Sequence, residues 1–155
     1  MMRGAVPAAA IALCALPLML EGCARPPEIA VDRLVPEIER LNGKRVTVIG
    51  YLPECMGYEC RLFANEAEAR QAATYFAELM SAPRPFEPRV KEPIWLGIGS
   101  GKDMTFDEQA KPFVGGYVKV TGIVTNRCRF QGQPACTDRS TDIEPDSIAA
   151  GHRSQ

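Results

Sequence analysis

The chain has 155 residues, with 18 Lys and Arg against 19 Asp and Glu, one histidine and six cysteines. That length holds one domain, or one domain with a tail, and a net charge of −1 removes the electrostatic reason to expect nucleic acid or anionic lipid as a partner. The sole histidine, His152, lies near the C-terminus, which removes most triad, Cys–His and histidine–metal mechanisms.

Residues 1–22 differ in composition from the rest of the chain. Met1-Met2-Arg3 is a short positive start, and 5–20 carries no charge and is mostly Ala, Leu, Ile, Val and Pro. The run is short for a bilayer span and contains Pro7 and Pro17. It fits the apolar region of a cleavable signal. It ends at Leu20-Glu21-Gly22-Cys23. Leu20, Gly22 and Cys23 resemble the bacterial lipobox, in which a leucine, two small residues and a cysteine are read by the lipoprotein signal peptidase; Glu21 departs from it. The resemblance implies a diacylglycerol thioether on Cys23, and so a protein exported to the periplasmic side of a bacterial membrane and anchored there. Ordinary cleavage after Ala24 is the competing reading, and leaves a soluble secreted or periplasmic protein. On either route Cys14 leaves with the signal, and Cys55, Cys60, Cys128 and Cys136 remain, an even number in an oxidising compartment.

Residues 23–28 read as a tether with two prolines, 29–150 as the folded domain and 151–155 as a frayed tail. Within 29–41 the apolar residues and Pro36 predict a short helix opening near Pro36, ended by Asn42-Gly43. Residues 44–52 alternate as a strand, and 60–64 are a second. Asn65 with Glu68 is a cap for a helix running to about Met80, whose Ala69, Ala72, Ala73, Phe76, Leu79 and Met80 share one face. After a proline-rich loop at 82–93, a third strand at 94–98 carries Trp95, and a helical turn is expected near 106–111. Residues 115–125 are the strongest strand, and 141–148 a last short strand or turn.

One echo stands out. Gly43-Lys-Arg-Val46-Thr-Val48-Ile-Gly50 and Gly115-Gly-Tyr-Val118-Lys-Val120-Thr-Gly122 share the pattern G-x-x-V-x-V-x-G. Each starts after a glycine turn, buries alternate valines and bends at an interior glycine. With a helix mid-chain, these strands resemble the OB-fold over about 41–148. That implies a mainly β, α+β domain built as a small five-stranded Greek-key barrel.

The cysteines suggest local bridges. Pairing Cys55 with Cys60 and Cys128 with Cys136 closes each loop on itself, one of three arrangements, and each bridge adds about 2–3 kcal/mol. A four-thiolate zinc site and a redox dithiol both want two residues between paired cysteines, and the intervals here are four and seven. Gly97 to Lys102 imitates a phosphate loop, but Leu96 stands where its first glycine belongs and Asp103 where Ser or Thr follows the lysine. No cofactor motif is present. Carboxylates remain: Glu54 and Glu59 flank one cysteine loop, and Asp103, Asp107 and Glu108 cluster in another. If they gathered at one cleft they would support an envelope hydrolase or metal-dependent enzyme; dispersed, they are solvated charges. Ile49, Tyr51, Tyr117 and Ile123 alternate away from the valines and would form a binding face if the two matched strands share a sheet, unless the 66–80 helix or the loop with Phe86 covers them. The sequence thus points to a non-enzymatic binding or accessory module, contacting another envelope protein or a small ligand.

Overall fold

The computed structural model describes residues 25–57, 59–81, 91–126 and 142–152. The expected signal, Cys23, Phe86, Cys128 and Cys136 lie outside them. Within them the fold is mainly antiparallel β, a strongly curled half-barrel with one 16-residue helix, the α+β small barrel that the strand pattern predicts.

In chain order, β1 (Glu28–Ala30) leads into a helical segment, α1 (Val31–Leu34), a 3₁₀ turn (Val35–Glu37) and α2 (Ile38–Leu41). Then come β2 (Arg45–Leu52), β3 (Cys55–Met56), β4 (Glu59–Phe63), α3 (Glu66–Ser81), β5 (Trp95–Gly97), α4 (Phe106–Ala110), β6 (Gly116–Val124) and β7 (Ile143–Ala150). The curled sheet runs β5-β4-β2-β6-β7, with β3 paired to β4 and β1 lying parallel to β2. Its outer strands touch. Ile98 and Ile143 form a parallel bridge, the Asp142 N–H donates to the Gly97 carbonyl at 3.0 Å, and the Gly99 N–H to Ile143 at 2.9 Å. The buried Asp142 carboxylate fastens this seam by accepting the Gly97 N–H at 3.0 Å.

The matched strands are partners. β2 and β6 pair antiparallel over their length, Val48 opposite Val120, Gly50 opposite Val118 and Gly122 opposite Val46. Each interior glycine thus faces the other strand's valine. Their inward side chains meet Leu62, Leu96, Ile98 and Ile143 in the core, closed by Val31, Leu34, Ile38 and Leu41 and by Phe106 and Ala110.

Three expectations are corrected. The N-terminal helical segment opens at Val31, not near Pro36, because Val31 and Leu34 are fully buried in the core, and Pro36 sits in the 3₁₀ turn. The last strand is long, 8 residues, and absorbs Pro145 at a register shift opposite Gly122, where a proline's missing N–H is tolerated. The ends of the domain are tied down further than expected. Pro27 accepts the Thr47 N–H at 2.9 Å, and Gly151 donates to Tyr117 at 2.8 Å.

Candidate binding groove

The outer face of the sheet carries a row of aromatic residues set by register. Tyr117 is opposite Tyr51, Tyr51 opposite Phe63 and Phe63 opposite Trp95, so one side chain comes from each of β6, β2, β4 and β5. Opposed residues point to the same face, and here it is the face away from the valine core. The Tyr51 and Tyr117 rings meet edge to face at 5.6 Å.

Helix α3 lies across part of this row. Asn65 Oδ1 accepts the Glu68 N–H at 3.0 Å, capping the first turn as the sequence predicts. Ala69 and Ala72 are small enough to bring the helix down onto Phe63, forming a second cluster with Tyr51, Phe76 and Trp95. Among the described residues this seating reaches as far as Phe76, beyond which Leu79 is 42% exposed and Met80 86%. A groove of about 490 Å³ opens between α3 and β4, with Phe76, Leu79 and Met80 on one wall, Arg61 and Phe63 on the floor, and Pro53, Glu54 and Glu59 at the rim.

Among the described residues, Arg61 is the one cation lining this groove. Its guanidinium carbon lies 4.9 Å from the Phe76 ring centre and 5.2 Å from that of Trp95, a position in which both ring faces attract it. Nη1 is paired with Glu59, while the buried Nε has no hydrogen-bond partner among the described residues. The groove therefore offers apolar walls and, on its floor, a guanidinium that is paired with Glu59.

The residues expected from the sequence separate in space. Tyr51 packs beneath α3, so the helix covers part of the predicted face. Ile49 and Tyr117 line a different, more polar cleft of about 770 Å³ with Glu28, Asp32, Arg33 and Arg40. Ile123 is 42% exposed and lines neither. Of the carboxylates, Glu54 and Glu59 border the groove; Asp103, Asp107 and Glu108 are not among its walls. Glu108 is paired with Lys111, and Asp107 Oδ2 accepts the Gly57 N–H at 3.0 Å. Cys55 and Cys60 are joined by a disulfide, and His152 is exposed. No described helix is long and apolar enough to cross a membrane.

Arg61, Phe63, Phe76 and Trp95 are the residues that sequence reasoning misses as a site. Their only signal is composition, because α3 separates β4 from β5 in the chain and the register that aligns them is set by distant pairing.

No protein-family model, curated protein or solved structure matches this chain.

Proposed function

We propose that this chain is an exported, lipid-anchored binding or accessory module of the bacterial cell envelope, without catalytic activity of its own, and that its ligand sits in the groove between α3 and β4. The carrying observation is Arg61, held between Phe76 and Trp95 on an apolar floor. Such a site takes an apolar group that carries a negative charge when the anion displaces Glu59 from the guanidinium, while Phe76, Leu79 and Met80 take the apolar part. A small ligand or a segment of another envelope protein can present that combination.

The strand adjacency supports the OB-like reading. Numbered by appearance, the five main strands β2, β4, β5, β6 and β7 follow the cyclic order 1-2-3-5-4, with the 3–5 contact parallel. The anchor reading rests on Leu20, Gly22 and Cys23. Five residues from Cys23 to Glu28 reach at most about 18 Å, which would keep the domain close to the bilayer. The alternative, a carboxylate-based hydrolase or metal-dependent enzyme, keeps Glu54 and Glu59 beside the groove and loses Asp103, Asp107 and Glu108 from it.

Trp95, the sole tryptophan, is a built-in reporter. Titration with a medium-chain carboxylate should shift its emission saturably, the amine of the same chain length should not, and Arg61→Ala should abolish the response. An equal response to both compounds, or one that survives Arg61→Ala, removes the site. Cells labelled with palmitate should carry the label on wild type and lose it, with membrane retention, in Cys23→Ser; an unlabelled wild-type chain cleaved after Ala24 refutes the anchor.

A further inference from the structure

Away from the groove, one cluster brings two sulfurs and a carboxylate together. Cys55 and Cys60 stand opposite each other across β3 and β4, and both are buried. Asp107, in the first turn of α4, reaches them from a separate segment. Its Oδ1 lies 3.8 Å from Cys55 Sγ, and its Oδ2 is held by the Gly57 N–H at 3.0 Å. One ligand atom from each of the three residues falls within 4.8 Å of the others.

In the oxidised chain the two sulfurs are bonded to each other and offer no thiolate to a cation. Exchange with a dithiol reductant changes that. Two electrons and two protons pass to the bridge, the S–S bond breaks into two thiols, and the reductant leaves as its own disulfide. We propose that Cys55, Cys60 and Asp107 then form a three-ligand site for a thiophilic divalent cation of the zinc class, so that disulfide and metal are alternative states of the same two sulfurs. The cation displaces both thiol protons to solvent, forms two metal–sulfur bonds and takes a third bond from the carboxylate.

Distance and charge both favour this. Metal–sulfur bonds of about 2.3 Å and metal–oxygen bonds of about 2.1 Å at tetrahedral angles place two sulfurs about 3.8 Å apart, and sulfur and oxygen about 3.6 Å apart. Asp107 already stands at nearly that distance from Cys55. The Cα atoms of Cys55 and Cys60 are 3.9 Å apart, so once the bridge is open, rotation of the cysteine side chains reaches the sulfur separation without drawing the strands together. Two thiolates next to a carboxylate in a buried position would concentrate negative charge, which is costly; a divalent ion cancels two of the three charges, and the Gly57 N–H donates to Asp107. Three protein ligands leave the fourth position open to water or an exogenous donor. Sequence spacing hides the site, because the third ligand comes from the distant α4.

The test uses the full chain carrying Cys14→Ser, Cys23→Ser, Cys128→Ser and Cys136→Ser, leaving Cys55 and Cys60 as the only thiols. After reduction with a phosphine under argon, Co²⁺ is titrated while cobalt–thiolate absorption and far-ultraviolet circular dichroism are recorded, and Zn²⁺ is then added in competition. The expected result is one-to-one binding that zinc displaces, that the oxidised chain lacks and that Cys60→Ser abolishes. Asp107→Asn should weaken it at least about tenfold, the lower end of what losing even an outer-shell partner costs. A reduced chain that stays folded and develops no cobalt–thiolate absorption overturns the proposal, as does undiminished affinity in Asp107→Asn. Should reduction unfold the chain, zinc must restore the dichroism of the oxidised form, and failure to restore it overturns the proposal equally.

Discussion

Gly122 and Glu144 approach each other so closely that a Cβ built on Gly122 would stand 2.2 Å from the Glu144 carbonyl oxygen. The obstacle is backbone on a paired strand, at the register shift that also accommodates Pro145, so it cannot swing aside like a side chain. Gly122→Ala should therefore cost about 1–3 kcal/mol or more, the range of core overpacking. Gly50→Ala is a milder version: its Cβ would meet the Phe63 carbonyl oxygen and Val31 Cγ2, each at 2.8 Å, and the valine has some freedom to adjust. Gly115 is the contrast. A Cβ there meets nothing within 4 Å, and the cost comes from its φ of +81° alone, about 1–2 kcal/mol. Urea midpoints should rank Gly115→Ala above Gly50→Ala above Gly122→Ala, and a Gly122→Ala variant as stable as Gly115→Ala would contradict the close approach.

Those glycines also mark how far the sequence can be read. Alternating valines identify β2 and β6 as half-buried strands, and the shared G-x-x-V-x-V-x-G pattern places a bend in each. That the two are antiparallel partners with every bend facing a valine depends on pairing between distant segments, such as Val48 with Val120, which no local pattern encodes. Pro36 and Pro145 mislead for opposite reasons. Burial of Val31 and Leu34 draws the helical segment back before Pro36, and a register shift lets β7 continue through Pro145. The groove is the least legible part. The helical periodicity of α3 is plain, yet it treats Leu79 and Met80 as equivalent to Ala69 and Ala72, and only the packing reveals that Leu79 and Met80 stand exposed.

The seated half of α3 depends on its cap. Asn65→Ala removes the acceptor of the Glu68 N–H and should cost about 1 kcal/mol, measurable as a lower urea midpoint. Because Ala69 and Ala72 lie one to two turns beyond the cap, the loss should also loosen the groove and weaken the Trp95 response to the carboxylate probe. Asn65→Asp keeps an acceptor in place and should retain most of the stability.

Met80 and Phe63 separate binding from folding. Met80 is 86% exposed on the groove wall, so Met80→Gln should change stability by less than about 0.5 kcal/mol while weakening probe binding. Phe63 is 3% exposed beneath α3, and Phe63→Ala should cost about 3–5 kcal/mol through the cavity it leaves. Fluorescence titration and urea denaturation of both variants check the pair; a Met80→Gln variant that binds normally would remove the exposed end of α3 from the site.

The Cys55–Cys60 bridge closes a short loop, with a sequence separation of 5, so its entropic contribution is modest, about 2 kcal/mol for a loop of roughly six residues. A double Cys55→Ser, Cys60→Ser variant should therefore remain folded and lose about that amount by urea denaturation. A loss near zero would mean that the hairpin is already closed in the unfolded chain. Connectivity can be read directly from a tryptic digest without reductant. Cleavage after Arg45 and Arg61 leaves both cysteines on peptide 46–61, which should run two hydrogens lighter than its reduced form. A bridge from either cysteine to Cys128 or Cys136 would instead join that peptide to a second one, and the local pairing would be wrong.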